Sequence, residues 1–230
     1  MKKFTILGER CSGTNYLESL ITKNFDVEVT WEYGWKHFFG FNDLANSDDT
    51  LFIGIVRDPH TWMNSLWREK HHLQPGLRSN IKSYLNEEFW SYYDAIKHKS
   101  TGLYGKERME DRNIYTGHRY ENIFEMRNTK LKYLIEDMPN KVKNYILIRY
   151  EDLISNFEET INKIKDTGLQ VRNDIEYPVN VLTYKGNMST KPFKHNLNFL
   201  ISKKAIFEHP SFDPYYERML HYDVIIKQCI

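Results

Sequence analysis

The chain reads as an α/β protein built on a central, mostly parallel sheet flanked by helices. Three observations carry that reading. Short apolar runs with strand character alternate with amphipathic helical stretches. One run, Leu51-Phe-Ile-Gly-Ile-Val56, is apolar almost throughout, as a strand covered on both faces must be. The segments that follow the runs collect glycine, arginine and carboxylate residues, the chemistry that open parallel sheets place at the carboxyl ends of their strands.

In order along the chain, residues 3–8 form the first strand, and Thr14 to Asn24 follows as a helix with Tyr16, Leu17, Leu20 and Ile21 at helical spacing. A second strand is expected over 26–32 and a third over 51–56, ending at Arg57. Asp58-Pro59 then supplies an N-cap and a proline at the first helical position, for a helix carrying Trp62, Met63, Leu66 and Trp67 inward. Two amphipathic helices are expected over 80–98 and 119–137, separated by an irregular stretch from Thr101 to Gly117, with no strand in this middle third. Residues 144–148 make another buried strand, followed by Arg149-Tyr-Glu-Asp-Leu153 and a helix to about Thr167. A loop rich in Lys, Asn and Phe from Tyr184 to Asn198 and a final helix near 214–227 complete the expectation.

At 230 residues, with no Pro/Gly/Ser-rich or charged block to divide it, the chain is expected to be one domain, 1–230. Lys plus Arg is 32 against Asp plus Glu 31, and a balance of +1 speaks against a nucleic-acid coat or a membrane-surface protein. Any anion site is therefore local. The apolar run at the start is too short for a signal peptide and no later run approaches a membrane span, so a cytoplasmic location is expected. Cys11 and Cys229 lie at opposite ends of the sequence, which favours reduced thiols over a disulfide or a zinc site. His71-His72 has no partners at ligand spacing and is expected at a solvated helix end; no metal site is expected.

The most informative segment is Gly8-Glu-Arg-Cys-Ser-Gly-Thr-Asn-Tyr-Leu17, a glycine-flanked turn between strand and helix. Gly8 and Gly13 enclose four residues, so the backbone can curl with its N–H groups inward at the positive end of the helix dipole, a natural phosphate cradle. A nucleoside-triphosphate loop of the form GxxxxGK[ST] would need lysine and a magnesium-binding hydroxyl where this chain has Thr14 and Asn15. Arg57 and Ser65, eight residues apart, can converge when one closes a strand and the other lies about two turns into the next helix; a guanidinium fork with a hydroxyl suits a second phosphate.

This combination of the 8–17 loop, Arg57-Asp-Pro with Ser65, and Arg149-Tyr-Glu-Asp-Leu153 resembles the sulfotransferases that use 3′-phosphoadenosine 5′-phosphosulfate (PAPS). The resemblance implies a three-layer P-loop-like fold. It implies that Ser12, Gly13, Thr14, Asn15 and Tyr16 hold the 5′-phosphosulfate and that Arg57 and Ser65 hold the 3′-phosphate. It also implies a weaker contribution to the 3′ side from Lys185 and Gly186. The family's basic residue two places before the loop glycine is Cys11 here, with Arg10 one place earlier; either Arg10 reaches the bridging oxygen or Lys36 does that work. His37 stands close to where the family places its catalytic histidine and is expected to be the base. Residues 1–70 and 140–200 then form the cofactor half, and about 76–140 an acceptor-binding helical region in which Trp90, Tyr92, Tyr93 and Tyr104 line a pocket.

The expected activity is metal-independent transfer of sulfuryl from PAPS to a hydroxyl, or an amine, of a small-molecule or carbohydrate acceptor, leaving 3′,5′-adenosine bisphosphate. The competing expectations are a small-molecule or nucleotide kinase on the same scaffold and a non-catalytic nucleotide-binding module. Oligomeric state is not legible.

Overall fold

The computed structural model describes residues 1–172 and 198–224. Four parallel strands, β1 (Lys3–Leu7), β2 (Glu28–Val29), β3 (Thr50–Val56) and β4 (Tyr145–Arg149), lie in the order β2-β1-β3-β4. Registers run from Lys3 opposite Thr50 to Leu7 opposite Gly54, and from Phe52 opposite Tyr145 to Val56 opposite Arg149. The chain leaves β1 through α1 (Thr14–Asn24) to one side and returns in β3 on the other. The strand order therefore reverses between β1 and β3, which opens a crevice at their carboxyl ends.

Alternation along the strands divides the core into layers. Phe4, Ile6, Leu51, Ile53 and Ile55 pack on one face against Leu17, Leu20 and Ile21 of α1 and against Ile161 and Ile164. Leu7, Phe52 and Val56 face the other way, onto Leu131, Leu134 and Met138. Helices on both faces explain why every residue of β3 is buried. A third apolar cluster lies beyond the sheet, where Trp62, Met63 and Leu66 of α2 (Pro59–Arg68) meet Tyr84, Tyr120, Phe124 and Ile206. Asp58 caps α2, its carboxylate accepting from Thr61 N–H at 2.8 Å, with Pro59 at the first helical position as expected. Among the described residues no helix is long and apolar enough to cross a membrane.

Several expected elements are shorter or broken. The second strand is only Glu28–Val29. The expected helix over 80–98 is confined to α3 (Ile81–Asn86), capped by Asn80. After it, Phe89 bridges Tyr120, Ser91 bridges Leu73 and Tyr92 bridges Glu107, all antiparallel, so the middle third does contain extended pairing. The aromatic run Phe89-Trp-Ser-Tyr-Tyr93 favours that pairing, and its buried residues Phe89 and Ser91 follow the period of two.

The helix expected over 119–137 begins later, at α4 (Ile123–Lys132), where Asn122 accepts from Phe124 and Glu125 N–H. It continues through a widened turn at Tyr133–Asp137 into α5 (Met138–Lys141). The wider turn precedes Pro139, which has no N–H and whose ring crowds the carbonyl four residues before it. Beyond β4, α6 (Tyr150–Ser155) and α7 (Phe157–Lys165) are separated at Asn156, where one helix was expected. Near the C-terminus lie α8 (Lys203–Phe207) and α9 (Tyr215–Met219), the latter followed by His221 at φ 58°; 225–227 of the expected last helix lie outside the described residues. His72, expected in solvent, is buried.

Candidate functional site

β1 delivers the chain into the glycine-flanked loop at Gly8. A Cβ there would lie 2.6 Å from the Ile55 side chain and 2.7 Å from its carbonyl oxygen, so glycine is what lets the loop start against β3. Gly8 N–H donates to Lys36 O at 2.9 Å. Cys11 and Gly13 both adopt left-handed conformations, with φ of 66° and 100°. Between them Ser12 donates its N–H and Oγ–H to Glu9 O, at 3.1 and 2.6 Å.

The loop carbonyls face the protein. Arg10 O accepts from Trp62 Nε1 at 2.9 Å, Cys11 O from Arg57 Nη1 at 3.0 Å and Gly13 O from Leu17 N–H at 3.0 Å. The N–H groups of Gly13, Thr14, Asn15 and Tyr16 have no partner among the described residues. They start an 11-residue helix with no acidic side chain in its first turn, so donors and dipole act together on an anion.

Arg57, at the end of β3, spends Nε on Thr61 Oγ1 at 3.2 Å and Nη1 on the loop carbonyl, while its guanidinium lies 4.7 Å from the Tyr150 ring centre. Nη2 has no partner among the described residues. Ser65, from the second turn of α2, lies near enough to the Cys11 thiol to favour its ionised form. Arg57 thus reaches the loop at the Cys11 carbonyl, and Ser65 lies on the side of the Cys11 sulfur. Burial pushes the Cys11 thiol up to about 11 against the pull of Ser65 and Arg57, so it stays protonated and supplies neither a cation nor a nucleophile.

Lys36 and His37 arrive on the turn that begins at the left-handed Gly34. Lys36 Nζ donates to Asn15 Oδ1 at 2.5 Å and to Glu18 Oε2 at 2.8 Å, and lies 5.4 and 5.3 Å from the Trp31 and Trp35 rings. His37 Nδ1 is 2.8 Å from Gly8 O. A carbonyl only accepts, so Nδ1 carries the proton and the lone pair is on Nε2, which has no partner among the described residues. Burial drives the His37 pKa well below its ordinary value. Arg10 depresses it further, the Gly8 bond opposes in part, and Lys36 and Lys130 add to the depression. At neutral pH the ring is an uncharged acceptor.

Arg10 points elsewhere. Its Nη1 meets Asp111 Oδ2 at 3.0 Å, Nη2 meets Ser91 Oγ at 3.4 Å, and the guanidinium lies 4.9 Å from the Phe38 ring centre. Asp111 also binds Ser91 Oγ and, at 2.6 Å, Lys130 Nζ. Lys130 is 2.6 Å from Glu9 Oε1 and 3.2 Å from His37 O. Although burial alone would raise it, Lys130 and Arg10 hold the Asp111 carboxyl down to about 2. Burial dominates at Glu9, whose carboxyl is raised.

Sequence reasoning missed this buried cluster, and with it Arg127. Arg127 is paired with Glu217, donates from Nη2 to Arg57 O at 2.8 Å and lies 4.8 Å from the Trp62 ring centre. The available signal was charge on the apolar face of a helix, since Arg127 and Lys130 are interleaved with Phe124, Met126 and Leu131. The region 76–140 therefore also braces the loop, through Asp111, Arg127 and Lys130.

Of the aromatic residues expected around an acceptor, Tyr93 stands near the site, since Arg108 packs 4.0 Å from its ring centre and 5.0 Å from that of Phe38. Trp90 packs on Arg119, Tyr92 on Arg78 and Tyr104 on Lys99. Arg149 is structural: it pairs with Asp152 at 3.0 and 3.1 Å and donates to Leu220 O at 2.9 Å. Lys185 and Gly186 lie outside the described residues. Among the described residues no three His, Cys, Asp or Glu side chains gather as a metal cluster.

No protein-family model matches the chain, and no curated protein matches it. Among solved structures the chain is similar to a mouse sulfotransferase, SULT7A1, determined in complex with PAP. The two are 14% identical with a TM-score of 0.38, over 75% of this chain and 61% of that one. The matched part is thus less than two thirds of the mouse protein.

Proposed function

We propose that the protein is a PAPS-dependent sulfotransferase that transfers sulfuryl to an acceptor hydroxyl without a metal, with His37 as base. One observation supports this reading: open loop N–H donors, Arg57 bonded to the loop carbonyl of Cys11, and a neutral imidazole with an open Nε2 bonded to Gly8 O through Nδ1 are gathered at the carboxyl ends of β1 and β3. The donor set fits the nucleotide. Backbone N–H groups from Gly13 to Tyr16 suit the 5′-phosphosulfate, and Arg57 Nη2 with Ser65 suits the 3′-phosphate, which ATP lacks.

In the proposed reaction the acceptor oxygen attacks sulfur in line with the bond to the 5′-phosphate. The S–O bond to acceptor forms as the S–O bond to phosphate breaks, and the electron pair of the broken bond leaves on the bisphosphate. His37 Nε2 takes the acceptor proton. Helix-start N–H groups and Lys36 stabilise the charge that grows on the leaving oxygen. Lys36, bonded to Asn15 at the helix start, is better placed for this than Arg10, whose two terminal nitrogens are bound to Asp111 and Ser91. The proposed acceptor is a small molecule or carbohydrate, and the proposed setting the cytoplasm.

The test is calorimetric titration with 3′,5′-adenosine bisphosphate, adenosine 5′-phosphate and ATP with Mg²⁺. The bisphosphate is expected to bind without metal and better than ATP. Arg57→Ala is expected to weaken the bisphosphate by about 10- to 100-fold, the worth of a charge-assisted bond, while changing the 5′-phosphate little. Preference for ATP with Mg²⁺, or equal losses for both adenosine ligands, would overturn the reading.

A further inference from the structure

Glu18 stands three residues after Asn15 on α1, so their side chains share one face of the helix. Both converge on Lys36 Nζ, at 2.5 Å from Asn15 Oδ1 and 2.8 Å from Glu18 Oε2. The Lys36 side chain is only 3% exposed and lies against two indole rings, whereas the Glu18 side chain is 28% exposed. A lysine so enclosed needs a counter-charge, and Glu18 is the carboxylate that supplies it. An ammonium has three N–H donors; Asn15 and Glu18 take two and leave the third in a fixed direction. Because Asn15 Oδ1 accepts from Lys36, its NH₂ is left as a donor at the helix start.

From this arrangement, and resting on the sulfotransferase reading above, we infer that Glu18 is a positioning residue of the donor site that acts through Lys36. It holds the ammonium beside Asn15 and balances its charge. Lys36 then adds little to the binding of the donor, whose bridging oxygen carries no full charge, and adds most as charge develops on that oxygen. Interactions that strengthen only in the transition state raise turnover, whereas an unbalanced lysine would hold substrate and product alike. Glu18 thereby weakens the grip on the bisphosphate product.

The experiment titrates wild type, Glu18→Gln, Glu18→Asp, Lys36→Met and the Lys36→Met/Glu18→Gln double variant with 3′,5′-adenosine bisphosphate, and measures kcat and donor KM with PAPS. Glu18→Gln keeps an acceptor and removes the charge. It is expected to bind the bisphosphate about three- to tenfold more tightly, the worth of one partly exposed charge at short range. Both donor KM and kcat are expected to fall, and Glu18→Asp to return both toward wild type. In the Lys36→Met background, Glu18→Gln is expected to leave affinity unchanged.

Unchanged or weaker bisphosphate binding by Glu18→Gln would overturn the inference. So would tightening of the same size without Lys36, which would mean direct repulsion rather than action through the lysine. If Glu18→Gln fails to fold, Glu18→Asp decides, since it lengthens the contact to Lys36 and is then expected to lie between wild type and tighter binding; weaker binding overturns the inference. Failure of wild type to bind the bisphosphate removes the sulfotransferase reading itself and is seen first, whereas wild-type binding with an unmoved Glu18→Gln removes only the role of Glu18.

Discussion

Gly13→Ala tests the loop geometry most directly. Gly13 has φ of 100°, where a side chain is strained by about 1–3 kcal/mol. A Cβ added there would also come within 2.9 Å of Tyr150 Cε2 and closer still to Cδ2, and a buried aromatic ring cannot yield as a flexible side chain can. Overpacking of this kind costs about 1–3 kcal/mol. The sum, about 2–6 kcal/mol, is a large share of the ~5–15 kcal/mol that holds a domain folded.

The Tyr150 ring also lies against Arg57, so displacing it disturbs the arginine assigned to the 3′-phosphate. Urea unfolding followed by tryptophan fluorescence reads the stability, and bisphosphate titration reads the site. In a Tyr150→Ala background the clash is gone and only backbone strain remains, so Gly13→Ala is expected to cost about 1–3 kcal/mol less than in wild type. A wild-type cost below about 0.5 kcal/mol, the size of an ordinary surface change, would refute the strain and the packing together. Equal costs in both backgrounds would refute the contact with Tyr150.

Two further outcomes follow from buried charge. Arg127→Met leaves Glu217 buried without its partner and is expected to cost about 3–5 kcal/mol by urea unfolding, with Arg127→Met/Glu217→Leu recovering at least half; a loss under about 1 kcal/mol for the single variant would contradict the pairing. His37 has a folded-state pKa below its unfolded value, so the unfolded chain binds the proton first as pH falls below about 6.5. The stability His37 contributes is therefore present above that pH and lost on acidification, by up to about 1.4 kcal/mol per pH unit. His37→Gln is expected to lose less stability than wild type between pH 7.5 and 5.5, and identical slopes would contradict the depressed pKa.

How far the site was legible depended on how local its causes were. The loop from Gly8 to Gly13 and the Asp58-Pro59 helix start follow from residues within a few turns of one another, where covalent geometry and capping limit the outcomes. The expected helix over 80–98 failed because the aromatic run from Phe89 to Tyr93 found extended partners at Leu73, Glu107 and Tyr120. Short-range periodicity carries no information about such partners. Arg10 and Lys36 are alternatives from sequence for the bridging oxygen, and the direction of Arg10 is set by Asp111 and Ser91, which lie 101 and 81 residues away.

By itself, then, the sequence determined that strands and helices alternate into a parallel sheet, and that a glycine-flanked turn follows the first strand. It also determined that Arg57 and Ser65 stand at the spacing that lets them meet there. Apolar period, glycine and capping chemistry act through neighbours along the chain, and these are readable residue by residue. Only the tertiary structure decided which charges pair: Lys36 with Glu18, Arg10 with Asp111, Lys130 with Glu9, and Arg127 with Glu217. Burying a charge is costly enough to demand a partner, but which partner is available is a property of packing in three dimensions, not of order along the chain.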